Sequence, residues 1–486
     1  MSLPSQRTAQ LGVVLAVAAA VRGAAALVRP PWHDEYFTAW AAALPLGDLL
    51  AALHLDSGPP LPYLLTKMLV SVGLPGLYAA RALALTAGLL AVWLGFRAAE
   101  RCSGTGAALA CGALLATHPL AVAWSSEGRA YALVLFAAAW SWERIEAIRT
   151  TGRGSAGLAA ALAVAVWSHG LGPALVGAVS IASLTLPRAA RLRCLGAAAI
   201  GLASLLPWLP VAVQQPSAAT AWMTEAWHGT RLAERLLSPV RLLAPLSPFG
   251  STLDMPSPPL ALQLVAAAAC VSLLFFGRRA HVAVLIAAVP AFGLPLLAEM
   301  GLPAFYPGRA EAFYLIPVLG VMGIGAVRSR FTGILAATLA LGGAANVVAG
   351  CVRWVSAGPL PEAVVAEAIR QSLPAGGMVV TSGYWGLDVA SQLRDRKQLE
   401  FVSVPPGAAR HPGWFADGSD PFGEEDLDRL TRRALGRAGD TAVIVSPSLT
   451  SERPLRRLAA RLGLVPVVTV PGGVLFLSRP TGGGSP

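Results

Sequence analysis

The stretch GLAAALAVAVWSHGLGPALVGAVSIASLTLP, residues 157–187, carries no charged residue over 31 positions. A membrane crossing takes about 20 predominantly apolar residues, so it is too long for one ordinary crossing and short for two. The flanks decide. Arg144, Arg149 and Arg153 precede it, and Arg188, Arg191 and Arg193 follow it. Short loops rich in arginine stay on the cytoplasmic side. With both clusters inside, the stretch crosses twice, and Gly170, Gly172 and Pro173 form the turn between two short helices.

The same reading extends outward in both directions. Apolar segments of crossing length lie near 9–28, 82–98, 107–123, 130–147, 194–211, 259–277, 281–298, 312–327 and 331–350. Counting 157–187 twice, the chain makes about eleven crossings. The inner loops carry Arg97 and Arg101, Arg278 and Arg279, and Arg328 and Arg330, which places the amino terminus in the cytoplasm and the carboxyl-terminal tail outside. Arg22 inside the first run and the long apolar sequence beyond it make that run an uncleaved anchor rather than a signal peptide.

Composition agrees. Of 486 residues, 55% are hydrophobic and 13% charged, against about 25% charged in soluble domains. The 37 basic and 26 acidic residues leave a net charge of +11. The arginines are scattered in ones, twos and threes between apolar runs, so no cationic stripe suited to nucleic acid is present. The five cysteines show neither a disulfide framework nor a zinc spacing.

Three blocks stand outside the spans, all facing outward: a first loop at 29–81, a second at 212–258, and the tail 352–486. In the tail, β-branched runs at 378–381, 401–404, 442–445, 465–470 and 474–477 alternate with helical patterns near 360–372, 386–396, 424–437 and 452–462. That is the pattern of an α/β domain, with no nucleotide-binding fingerprint. The expected fold is an all-α polytopic membrane domain (1–351) followed by an extracytoplasmic α/β domain (352–486).

The chemistry is expected at the outer acidic residues. WHDEYFTAW (32–40) places Asp34 and Glu35 where the chain leaves the first span. Asp56 follows, then GPPLPYLL (58–65) with Tyr63. SSEGRAYAL (125–133) puts Glu127 and Arg129 in the short outer loop before the fourth span. Two pieces with helical apolar spacing, 47–54 and 61–72 with Lys67, suit the membrane surface. Trp32, Trp124, Trp208 and Trp354 read as interfacial anchors, while Trp222 and Trp227 stand in the second loop.

These three motifs, in this order and spacing, resemble those of the polytopic GT-C glycosyltransferases, in particular the bacterial branch of the protein mannosyltransferase and lipid A aminoarabinose transferase type. That branch reads W-x-D-E in its first outer loop, then H-P-P-L-Y-Y-L-L, then S-Q-E-A-R-M-Y-A-L. The resemblance covers about the first 150 residues and, more loosely, the later spans. It implies transfer of a sugar from a polyprenyl-phosphate donor to a lipid, glycan or protein acceptor at the outer face of the bacterial inner membrane. Asp34 takes the position of the family's general base and Glu35 that of its neighbour. Substrate contacts are expected from Asp56, Tyr63, Lys67, Glu127, Arg129, His169 in the turn of 157–187, and Arg309 in the late outer loop FYPGR (305–309). The family histidine of the second motif is Gly58 here, and His54 is the nearest replacement. No motif specifies a divalent metal.

Two other readings compete. A transporter or flippase of lipid-linked sugars places ionisable groups inside its spans and shows repeated halves; this chain has few such groups inside its spans and no visible repeat, while its acidic residues cluster outside. A family member without catalysis, acting in an envelope-assembly complex, is motivated by Gly58.

Overall fold

The computed structural model describes residues 3–232, 235, 260–302, 309–412, 422–437, 440–446 and 452–478. The side chain of Trp222 and residues 236–259 and 305–308 lie outside them. The chain forms two compact units. One comprises Met1–Arg29, Ala42–Pro45 and Ser57–Ser356; the other comprises Pro30–Ala41, Leu46–Asp56 and Ala357–Pro486.

The first unit is helical. Its members are α1 (Leu3–Val28), the end of α2 (His33–Ala43), α4 (Leu61–Ser71), α5 (Gly76–Thr117), α6 (Pro119–Ser126), α7 (Tyr131–Thr151), α8 (Ser155–Ser168), α9 (Gly172–Ser183) and α10 (Arg188–Ala203). Then come α11 (Leu209–Ala212), α12 (Ala218–Gly229), α13 (Leu260–Gly277), α14 (His281–Glu299), α15 (Leu315–Ala326) and α16 (Arg330–Ser356). Between α2 and α4, α3 (Leu46–His54) belongs to the second unit. The apolar segments read from the sequence are largely helical, 194–211 being interrupted after α10 and 107–123 at His118, and 157–187 is divided as expected into α8 and α9. Among the described residues, five helices are long and apolar enough to cross a membrane. The protein is a multi-pass membrane protein.

The segments 82–98 and 107–123 lie on two helical stretches of α5 that meet at a kink at Gly104, whose φ of +82° is non-helical and open to glycine. The second segment then breaks at His118. Pro119 has no N–H for the carbonyl of Leu115, and the buried Arg22 takes its place: Nη2 donates to Leu115 O at 2.8 Å and Nη1 to Ala116 O at 2.9 Å. The device recurs. Pro30 leaves Ala26 O without its helical donor, and Arg81 Nη1 donates to Ala26 O at 2.8 Å and Arg29 O at 3.0 Å. Beside Pro45, Lys67 Nζ donates to Leu44 O and, at 3.5 Å, to Ala42 O. Cations are favoured at helix C-termini, where carbonyls lack partners.

The core of this unit is α5 packed on α1, α7 and α15. Close approach is permitted by small residues: a Cβ on Gly325 would lie 2.0 Å from the Leu273 carbonyl oxygen. Trp124, expected at the interface, is instead wholly buried in this core. It lies on α6, the short helix created by the break at His118, and that helix turns inward.

The second unit is built on a five-stranded sheet of order β2-β1-β3-β5-β4. Its strands are β1 (Met378–Thr381), β2 (Glu400–Ser403), β3 (Thr441–Val445), β4 (Val465–Val470) and β5 (Gly473–Leu477). β1 pairs in parallel with β2 and β3, while β5 runs antiparallel to β3 and β4. Both faces are covered. α17 (Pro361–Ser372) and α18 (Gly383–Gln392) pack on Val379, Ala442 and Ile444; α19 (Glu424–Leu435) and α20 (Glu452–Arg461) pack on Met378, Val380 and Val443. The central strands β1 and β3 are therefore buried throughout, as continuous apolar runs require. β2 and β4 are the edges, and Pro466 is tolerated on β4.

Candidate active site

Asp34 and Glu35 occupy the first turn of α2, where the helix dipole favours negative charge. Pro30 and Pro31 precede it, and the turn is closed by Glu35 N–H donating to Trp32 O at 2.9 Å. Thr38 Oγ1 donates to Asp34 O at 2.9 Å. His33, Asp34 and Glu35 are all buried.

Their surroundings come from the C-terminal sheet domain of the same unit. His33 Nδ1 lies 2.8 Å from Asp388 Oδ1. One turn further along α18, Gln392 Nε2 donates to the Tyr36 hydroxyl at 2.7 Å. Burial pushes the Asp388 carboxyl above its usual range; the contact with His33 opposes this and the charge of Asp34 adds to it. Glu362, at the start of α17, is raised by burial and by the charge of Asp388, with His33 opposing. Asp56 is buried in this unit too, with His411 Nε2 at 4.0 Å from Oδ1. The His411 ring packs on Phe37 at 4.5 Å between centroids.

A second cluster lies in the first unit. Glu127, between α6 and α7, is wholly buried and pairs with Arg29 at 2.7 Å. Arg29 Nη1 also donates to Ala123 O at 3.0 Å. Arg129 N–H donates to Glu127 O at 2.8 Å, so the pair holds the backbone from which Arg129 projects. His169 stands in the turn between α8 and α9. Its Nδ1 accepts from Leu171 N–H at 3.1 Å, and its ring packs 5.8 Å from Tyr131 and edge-on, at 5.4 Å, to Phe313. Burial and the charges of Arg129 and Arg309 push its pKa down to about 4. The imidazole is therefore neutral at physiological pH beside two guanidinium groups.

Of the residues read from the sequence, Asp34, Glu35 and Asp56 share one unit, and Glu127, Arg129, His169 and Arg309 share the other. Tyr63 is buried at the start of α4. Lys67, expected at substrate, is engaged with the end of α2. His54 is exposed at the end of α3. Asp388, Glu362, Gln392, His411 and Arg29 were not anticipated. The polar pair Asp388 and Gln392, four apart on one helix, was the available signal, but nothing local ties it to residues 33–36.

No family model matches the chain, and no curated protein matches it. Among solved structures it is similar to ArnT from Cupriavidus metallidurans in the apo state, with a TM-score of 0.68 at 17% identity, covering 98% of this chain and 99% of that one. ArnT from the same organism bound to undecaprenyl phosphate matches with a TM-score of 0.67 at 16% identity, over 98% and 99% of the two chains. At this identity the likeness is one of fold, and it shows that the chain has the fold of ArnT.

Proposed function

We propose that the chain is an integral-membrane glycosyltransferase that moves a sugar from a polyprenyl-phosphate donor to a lipid, glycan or protein acceptor at the outer face of the cytoplasmic membrane, with inversion. The observation that carries this reading is the buried Asp34–Glu35 pair opening α2, in a chain that shares the ArnT fold over nearly all of its length. The structure of ArnT with undecaprenyl phosphate supports a polyprenyl-phosphate carrier as donor.

The chemistry follows from the residue types. An acceptor hydroxyl attacks the anomeric carbon and loses its proton to Asp34 as general base. The bond from that carbon to the phosphate oxygen breaks, and the bonding electrons leave with the phosphate. One displacement of this kind inverts the anomeric configuration. Glu35, one position on, assists by orienting the acceptor or Asp34. Arg129 and Arg309 are assigned to the phosphate oxygens, where a guanidinium can bind in bidentate fashion. His169, neutral and flanked by aromatic rings, is assigned to a sugar or phosphate oxygen, and Asp56, Tyr63 and Glu127 to the periphery of substrate binding. The arrangement proposed is eleven crossings within 1–351, an amino terminus in the cytoplasm and an extracytoplasmic domain from 352 to 486; a reporter fused after Arg353 reads the side.

The deciding experiment follows labelled sugar from a panel of polyprenyl-phosphate donors in membranes containing the wild type or Asp34→Asn. Transfer by the wild type and its loss in the variant are expected. Undiminished transfer by Asp34→Asn removes that residue from the mechanism.

A further inference from the structure

We infer that the C-terminal sheet domain is a positioning element for the acidic turn: Asp388 and Gln392 of α18 hold His33 and Tyr36 on either side of Asp34 and Glu35, and so set the direction of the Asp34 carboxylate. The inference rests on the reading of Asp34 as general base.

The geometry is a two-point grip. Asp388 and Gln392 stand four apart on α18, and His33 and Tyr36 three apart on α2, so each pair shares one helix face. The contacts are 2.8 Å and 2.7 Å, and the two gripped residues bracket the two acids. His411, from the same domain, adds a third contact by packing on Phe37 at 4.5 Å.

Stability alone is a poor reason for this arrangement. An apolar pair of similar volume usually stabilises as well as a buried polar one, or better. What a buried hydrogen-bonded pair adds is a single direction. An eleven-residue helix is also too short to hold itself in water, and Pro30 and Pro31 cut it off from the end of α1. The first turn of α2 therefore takes its orientation from what it touches, and those partners lie more than 350 residues away in sequence. Asp388 and Gln392 need not meet substrate to affect transfer, because a displacement of about 1 Å at a reacting group can cost roughly a hundredfold in rate.

The test uses the full-length protein in detergent with a polyprenyl-phosphate sugar donor. Asp388→Asn and His33→Gln are each expected to lower kcat by roughly ten- to a hundredfold, with KM for the donor nearly unchanged. The double variant is expected to be no worse than the poorer single one, since both break one contact. Gln392→Leu gives a smaller loss in the same direction. Hydrogen exchange supplies a readout free of catalysis: amides 33–41 should exchange faster in Asp388→Asn while β3 stays protected, which also shows that the domain is folded. Wild-type kcat in Asp388→Asn, additive losses in the double variant, or unchanged exchange at 33–41 would each overturn the inference. If Asp34→Asn itself transfers normally, the proposed base falls and takes the catalytic part of the inference with it. Exchange then decides separately whether Asp388 holds α2.

Discussion

The acidic turn of α2 and the basic turn around His169 are built in opposite ways. In the acidic turn the key groups are neighbours in sequence, His33 to Tyr36, and their supports come from a distant α/β domain. In the basic turn the groups arrive from three separate loops, at Arg129, His169 and Arg309, and are brought together by helix packing alone. Burial works against charge in both, with opposite consequences. Asp388 and Glu362 are pushed toward the protonated form, whereas His169 is pushed toward the unprotonated one. Asp388 and Glu362 thus take up protons more readily in the folded chain than in the unfolded one, and favour the folded state more as pH falls toward the carboxylate range. The basic turn takes them up less readily and loses stability under the same change.

The largest expected effect falls on the acidic side. Asp34→Asn should reduce transfer by about 10²–10⁴-fold, the usual contribution of a general base; a loss smaller than tenfold, measured with saturating donor, would break the assignment. On the basic side, Arg129→Ala and Arg309→Ala should each cost about 10²–10³-fold if they stabilise the leaving phosphate. Equal turnover by wild type and both variants would leave the basic turn with no part in the reaction. The support of the basic turn is tested by thermal unfolding. Arg29→Met strands Glu127 in the interior and should destabilise by about 3–5 kcal/mol, while Arg29→Met with Glu127→Leu should recover much of the loss. A milder effect is expected of His169→Gln. The folded pKa of His169, about 4, lies below its ordinary 6.5, so its penalty grows as pH falls from about 6.5 to about 4 and then levels off. The variant should unfold less readily in that window and match the wild type near pH 8. An identical acid profile would show that the imidazole is not held neutral.

The two turns were also unequally legible in the sequence. Helices were visible because apolar runs and arginine-bearing loops are local patterns, and the division of 157–187 into α8 and α9 needed only the charges at its flanks. The sheet domain was visible because β1, β3 and β5 are short β-branched runs between turn residues. Asp34 and Glu35 stood out as adjacent carboxylates beside an apolar span. Asp388 did not, because a single aspartate on a helix says nothing about a histidine more than 350 residues earlier. The break at His118 was missed for a related reason. Pro119 marks it locally, but only the distant Arg22 makes it affordable, and without that partner the run 107–123 reads as uninterrupted. The contact of Lys67 with the end of α2 was hidden on the same ground: its charge was visible, and the carbonyls it meets were not.

Arg22 has a consequence for the order in which the protein is made. A charged side chain within the apolar run of a membrane helix is costly, by about 2.5–3.5 kcal/mol at the helix centre on insertion scales and less toward the ends. The carbonyls that receive this one belong to the end of α5, up to 94 residues downstream. Helix α1 therefore leaves the ribosome with a polar group it cannot satisfy by itself, and its settled place in the bilayer waits for the synthesis of α5. The arginine couples two separate insertion events, so that the first helix becomes a stable anchor only when the fold around it has begun.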